Sequence, residues 1–294
     1  MNTYLVPTDF SENAYNAIEY AAEIAQATGR KLLLLHVHKP AVMPYVVGGA
    51  FISEDVDSSV KAANDTLETL CATLREEYPN IPCTSLITTG DPVHEIVKIA
   101  DQKQVELIIM GTFGANKIGN MLFGSNTALV IEKSSCPVFS VPFSVPFRVP
   151  YKMLFATNFS YNDLKGAVQL AAIARAFNAS MIIAHIMIDD AARYHEDELI
   201  DKFSREVKLL TDYPKISYRL VSDNTVSMGL DAVIAETQAD VIALSMRKRG
   251  IFEQFYNPSI TKKFSAHGTI PLLAFHGPSA IEDEHFDFNA DSNK

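Results

Sequence analysis

Two long stretches of this chain are copies of one another. Thr8-Asp9-Phe10-Ser11 recurs as Thr157-Asn158-Phe159-Ser160, and the same offset of 149 positions carries His36 onto His185. Farther along, Val105-Glu-Leu-Ile-Ile-Met110 matches Ala239-Asp-Val-Ile-Ala-Leu244 at an offset of 134, a register that brings Pro137 onto Pro271 without a gap. Any fold for the chain must therefore be built twice. The second copy is fifteen residues shorter between its second and fourth strands, a loss assigned to the Gly48-Gly49 loop region. A length of 294 residues agrees, since one domain commonly takes about 150. Between the copies, Pro142, Pro146 and Pro150 stand four apart and predict an extended, stiff connector. The expected division is an N-terminal domain over 1–143, a linker over 144–150, a C-terminal domain over 151–277 and a tail over 278–294. The tail is acidic and poor in aliphatic residues, which predicts disorder.

Within the first copy, short apolar runs alternate with helical periodicity. Strands are expected at Tyr4–Pro7, Leu32–Val37, Thr84–Ile87, Val105–Met110 and Val138–Val141. Their hydrophobicity is nearly continuous, the mark of strands covered on both faces. Ser11 is placed to cap a helix with apolar positions at Ala14, Ile18, Ala21, Ala22 and Ile24, and Gly29 to end it. Asp91-Pro92 supplies a cap and a first-turn proline for a second helix, and further helices are expected over Ser59–Glu77 and Ser125–Lys133. Strand–helix alternation implies right-handed parallel crossovers. The predicted fold is α/β, two tandem doubly wound (Rossmann-like) domains, each around a five-stranded parallel sheet.

Composition narrows the functional classes. The net charge of −10 opposes nucleic-acid binding, which draws its affinity from Lys and Arg on phosphates. The acidity is uneven: residues 1–150 hold ten Lys+Arg against sixteen Asp+Glu, whereas residues 151–276 hold fourteen of each. No apolar run approaches the ~20 residues of a membrane span, and Met1–Asp9 shows no basic leader before an apolar stretch. The expected address is the cytoplasm. Three cysteines with no CxxC pair read as small buried hydrophobes rather than a disulfide framework or zinc site.

The strand ending at Met110 runs into Gly111-x-x-Gly114, then nine residues to Gly124-Ser125 and a helix. Glycines at that spacing allow a backbone to close around an anion, with amides from the opening of a helix aimed at the charge. The element is neither a Walker loop nor the G-x-G-x-x-G of dinucleotide folds. In a doubly wound sheet a ligand sits where the strand order reverses. If strand four lies beside strand one there, Pro7-Thr8-Asp9 and Met110-Gly111 face one crevice.

These residues together resemble the ATP-binding branch of the universal stress protein family, whose signature G-x2-G-x9-G-[ST] is met by Gly111, Gly114, Gly124 and Ser125. The opening strand ending Pro7-Thr8-Asp9, Leu35-His36-Val37 and Ser135-Cys136-Pro137-Val138 extend the likeness, and it covers both copies. The resemblance implies that Asp9 and the backbone of Val37 contact adenine, with Pro7 and Thr8 lining its pocket. Met110 and Gly111 would lie against the ribose. Gly114, Gly124, Ser125 and Asn126 would hold the phosphates of ATP, which would arrive with Mg2+. It also implies that the two copies pair through Val138–Val141 and Leu272–Phe275, and that two chains associate as a homodimer. One departure is Phe113, where many members carry a polar or basic residue.

In the second copy the matching positions are Ser245, Lys248, Pro258 and Ser259, with Asn158 in place of Asp9. Side chains at former glycines and a proline without an amide predict that this copy does not bind ATP in the family manner. Arg247-Lys248-Arg249 in its loop reads either as a solvated charge run or as cations for another anion. Lys117 either faces solvent or reaches the outer phosphates. His36-x-His38 lacks further ligands and is read as a core or strand-end feature, not a metal site. No catalytic constellation is discernible. The expectation is an ATP-binding stress-response protein that senses or is regulated by its nucleotide; a slow ATP hydrolase or nucleotidyl transferase and a nucleotide-free scaffold stand as alternatives.

Overall fold

A computed structural model describes residues 3–39, 56–112, 124–143, 145–188, 193–246 and 270–276. The first copy contributes β1 (Thr3–Pro7), α1 (Glu12–Thr28), β2 (Lys31–His38), α2 (Val56–Glu77), β3 (Cys83–Thr89), α3 (Pro92–Lys103), β4 (Leu107–Gly111), α4 (Ser125–Lys133) and β5 (Val138–Val141). The second contributes β6 (Lys152–Ala156), α5 (Tyr161–Phe177), β7 (Ser180–Met187), α6 (Arg193–Thr211), β8 (Ile216–Ser222), α7 (Val226–Thr237), β9 (Val241–Met246) and β10 (Leu272–His276). Val105 and Glu106, expected to open the fourth strand, precede it. The Val105 amide instead donates to the Ala100 carbonyl at the end of α3.

All ten strands form one sheet in the order β3-β2-β1-β4-β5-β10-β9-β6-β7-β8. Each copy is parallel throughout, and the two meet at an antiparallel pair in which Leu272, Leu273 and Ala274 face Ser140, Phe139 and Val138. The pairing expected from the family likeness is thus present, and it merges two five-stranded sheets into one. The copies agree in register: Tyr4 lies opposite Leu107 and Met153 opposite Val241. Ile108 donates to the Pro137 carbonyl at 3.0 Å, and its counterpart Ile242 donates to Pro271 at the same distance.

Because the strands are covered on both sides, successive residues enter opposite cores. Tyr4 and Val6 pack with α1, α2, α5 and α6 on one face, while Leu5, Leu33 and Leu35 pack with α3, α4 and α7 on the other. The caps explain where the helices begin. Ser11 accepts from the Ala14 amide at the start of α1, Gly29 closes it at φ 66°, and Asp91 accepts from the His94 amide to start α3. The Pro-rich connector does not stand off as a spacer: the carbonyls of Pro142 and Val145 accept from the Asn16 amide group, and Pro146 accepts from the Tyr20 hydroxyl. It lies along α1.

A second signature of duplication is a turn after each first strand. Phe10 and Phe159 take left-handed backbone angles, φ 62° and 61°, costly for an aromatic residue. Each amide donates to the threonine two residues back, Thr8 or Thr157. The two rings lie 4.5 Å and 4.6 Å from His36 and His185 respectively. Nδ1 of each histidine meets the carbonyl of the same threonine, at 2.9 Å and 2.7 Å. A carbonyl only accepts, so Nδ1 carries the hydrogen. Both histidines therefore pin this turn to the second strand of their copy.

Candidate functional site

The chain passes from β1 to β2 on one side and returns to β4 on the other, so strand order reverses between β1 and β4. A crevice opens there, beyond the carboxyl ends of the strands. β1 and the turn after it supply Pro7, Thr8 and Asp9, β2 supplies Leu35 and Val37, and β4 supplies Met110 and Gly111. Pro92 and Ile96 of α3, Ala14 of α1, and Asn126 and Thr127 of α4 complete the lining. Of the ten residues singled out from the sequence, seven meet here: Pro7, Thr8, Asp9, Val37, Met110, Gly111 and Asn126. Gly124 and Ser125 stand at the head of α4 but outside this lining. Gly114 lies outside the described residues, as do Phe113, Lys117, the Gly48-Gly49 region, the Arg247-Lys248-Arg249 loop, Pro258, Ser259 and the tail.

Gly111 has a steric reason to be glycine. A β-carbon there would come within 2.4 Å of the Asn13 side-chain nitrogen and 2.9 Å of the Asn13 carbonyl oxygen. Removing the Cβ lets α1 close onto the end of β4. In the second copy Ser245 occupies the position, buried, its hydroxyl donating to the carbonyl of Asn162, the counterpart of Asn13. The second copy thus accommodates against α5 the side chain for which α1 leaves no room in the first.

Asp9 differs between the copies as well. Its Oδ1 accepts from the Ser11 amide at 3.1 Å and the Ser11 hydroxyl at 2.5 Å, an arrangement on an exposed rim. The second copy has Asn158 there and satisfies its turn from within: buried Asp163 accepts from Thr157, Asn158 and Ser160. A carboxylate facing the crevice is thus exchanged for one buried in the helix start.

The floor of the crevice is tied together by Thr127, whose hydroxyl donates to the Gly111 carbonyl at 2.7 Å. Gly124 caps α4 with φ −65° and ψ 157° and makes no side-chain cap bond. Its amide donates to the Thr112 carbonyl, fastening the head of α4 to the end of β4. Sequence reading missed Ala14, Leu35, Pro92, Ile96 and Thr127 as site residues. Two had a signal available: Leu35 precedes Val37 by one strand period, and Ile96 follows Pro92 by one helical turn.

The wall formed by α3 depends on a buried charge. The Glu95 carboxylate accepts from Lys98 at 2.9 Å and 3.0 Å and from the Thr88 hydroxyl at 3.0 Å. The Lys98 ammonium, then the Thr88 hydroxyl, hold its pKa below the usual 4.5. A depressed folded-state pKa stabilises the protein above the unfolded value, and this contribution is lost as pH falls through the lower folded value. Thermal melts of Glu95→Gln and the parent chain between about pH 6 and pH 3 check this: the gap between their melting temperatures is expected to narrow as acid is added.

Among the described residues no three His, Cys, Asp or Glu side chains gather to hold a metal ion, and no helix is long and apolar enough to cross a membrane. The model of the universal stress protein family matches residues 1–142. A universal stress protein of Methanocaldococcus jannaschii is 31% identical over 152 residues, 47% of this chain and 92% of its own. The chain belongs to the universal stress protein family. A second member, from Thermus aquaticus, is 30% identical over 142 residues, covering 47% of this chain and 97% of its own length. Among solved structures, a universal stress protein from Archaeoglobus fulgidus aligns over 94% of this chain and 96% of its own with a TM-score of 0.69. At 21% identity this last likeness speaks for the fold, and it extends through both copies. The family fold is therefore present twice in one universal stress protein chain.

Proposed function

We propose that the N-terminal domain, residues 1–143, holds one molecule of ATP as a regulatory or sensing ligand, while the C-terminal domain, residues 151–277, acts as its structural partner. The observation that carries this reading is the crevice at the strand-order reversal, where Pro7, Thr8, Val37, Met110, Gly111 and Asn126 line one space with Asp9 on its rim. Adenine would occupy the side bounded by Pro7, Thr8, Asp9 and Val37, and the ribose would rest on Met110 and Gly111. The amides of Ser125 and Asn126 at the head of α4, which the Gly124 amide fastens to Thr112, would meet the phosphates, assisted by the helix dipole, with Gly114 joining them. Mg2+ would arrive on the phosphates and neutralise part of their charge. The second copy is assigned no nucleotide because Ser245, Lys248 and Pro258 replace the three glycines and Asn158 replaces Asp9.

The test is to extract and identify nucleotide retained by the purified chain. One adenine nucleotide per chain is the expected result, and two would overturn the assignment of the second copy. Calorimetry of ATP with and without magnesium gives an independent check; absence of binding in both would leave a scaffold. Turnover is expected to stay below about one per minute, against the 1 to 10³ per second usual for enzymes. Faster release of phosphate or AMP would make the protein an enzyme.

A further inference from the structure

The sulfur atoms of Cys71 and Cys83 lie 3.2 Å apart. Cys71 sits on the inward face of α2, one turn after Leu67, and Cys83 opens β3, the edge strand of the sheet. Both are buried. The Arg75 guanidinium donates to the Cys83 carbonyl at 3.0 Å and 2.7 Å, holding the strand start against the helix. A disulfide spans ~2.05 Å, so bridging asks the two sulfurs to close by roughly 1.2 Å, within reach of side-chain rotation.

The chain's own duplicate shows that sulfur is not needed for packing at this place. Cys83 pairs with Leu32, and the equivalent pair in the second copy is Met181 with Ile216. Where α2 buries Leu67 and Cys71 four apart, α6 buries Phe203 and Val207. The second copy lines this helix–strand contact with hydrocarbon, whereas the first brings two thiols into contact.

We propose that Cys71 and Cys83 form an oxidisable dithiol that a peroxide converts to a disulfide stapling α2 to the sheet edge. The Cys71 thiol gives up its proton and its sulfur attacks a peroxide oxygen; the O–O bond breaks, a sulfenic acid is left on Cys71, and the departing hydroxide takes up that proton as the first water. The Cys83 sulfur then attacks the Cys71 sulfur; the S–O bond breaks, the S–S bond forms, and the Cys83 proton leaves with the hydroxyl as water. Overall, two thiols lose two hydrogens and hydrogen peroxide becomes two waters. The order follows from the electrostatics: the hydrogen bond from Cys83, with Arg75 nearby, lowers the Cys71 pKa, whereas that same contact and burial raise that of Cys83. Peroxide gains access when α2 opens locally from the edge strand.

The experiment treats the full chain with hydrogen peroxide, alkylates residual thiols in denaturant, and maps the peptides by mass. Free thiols are expected to fall from the three of the sequence to the one of Cys136, with a single cross-linked peptide pair carrying Cys71 and Cys83. Dithiothreitol is expected to restore all three. Cys71→Val, which borrows the side chain α6 already buries, folds and gives no such pair. Retention of three thiols, separate over-oxidation of Cys71 and Cys83, or bridges only between chains would overturn the proposal.

Discussion

Replacing Gly124 by proline is expected to abolish nucleotide retention while leaving the fold in place. The backbone at Gly124 already has φ −65°, the value a proline ring imposes, and the second copy carries Pro258 at the matching position. What proline removes is the amide that ties the head of α4 to the Thr112 carbonyl. Released from that tie, the first-turn amides of α4 no longer share a fixed geometry with Gly111 and Thr127. Charge-assisted hydrogen bonds contribute about 1.5–3 kcal/mol each, so misplacing two weakens ATP binding by roughly 100-fold or more. Calorimetry with magnesium reads the affinity and circular dichroism reads the fold. Parent-like affinity in a folded variant would remove Gly124 from the site.

A second substitution tests how far the two copies act as one body. Phe155 on β6 is fully buried; its ring centroid lies 6.1 Å from that of Phe275 on β10, and it leaves no slack over Gly166 of α5. The core on this face runs without interruption from Tyr4 and Tyr20 in the first copy to Phe155 and Phe203 in the second. Phe155→Ala is expected to cost about 3–5 kcal/mol and to lower the melting temperature by roughly 10 °C. Because the core is shared, scanning calorimetry is expected to show one transition displaced as a whole. A variant in which one copy melts early and the other at the parent temperature would contradict this.

Much of this fold was legible because its determinants are local. Leu32 to Leu35 reads as a strand covered on both faces, and the structure sends those side chains alternately into two cores. Ser11, Gly29 and Asp91-Pro92 announce helix ends through bonds made within a few residues, and each does so here. The site was legible only along the strands and the glycine run. Thr127 and Pro92 enter the crevice through the way α3 and α4 lean on the sheet, which no periodicity encodes. The same holds for Cys71 and Cys83: twelve residues apart with no motif between them, they meet because a helix turns back onto the strand that follows it. The connector shows the same limit, since its prolines describe a stiff segment but not the Asn16 and Tyr20 side chains that hold it.

The antiparallel seam between β5 and β10 has a consequence for dose. A pairing between separate molecules dissociates on dilution, whereas one between segments of a single chain meets its partner at a fixed effective concentration. Here the seam is unimolecular, so its occupancy does not depend on how much protein is present. A drop in abundance therefore leaves every surviving molecule with its sheet complete. The stoichiometry of the two copies is likewise fixed at one to one by the covalent chain, which leaves the second free to change its crevice without being replaced at the seam by an unaltered copy.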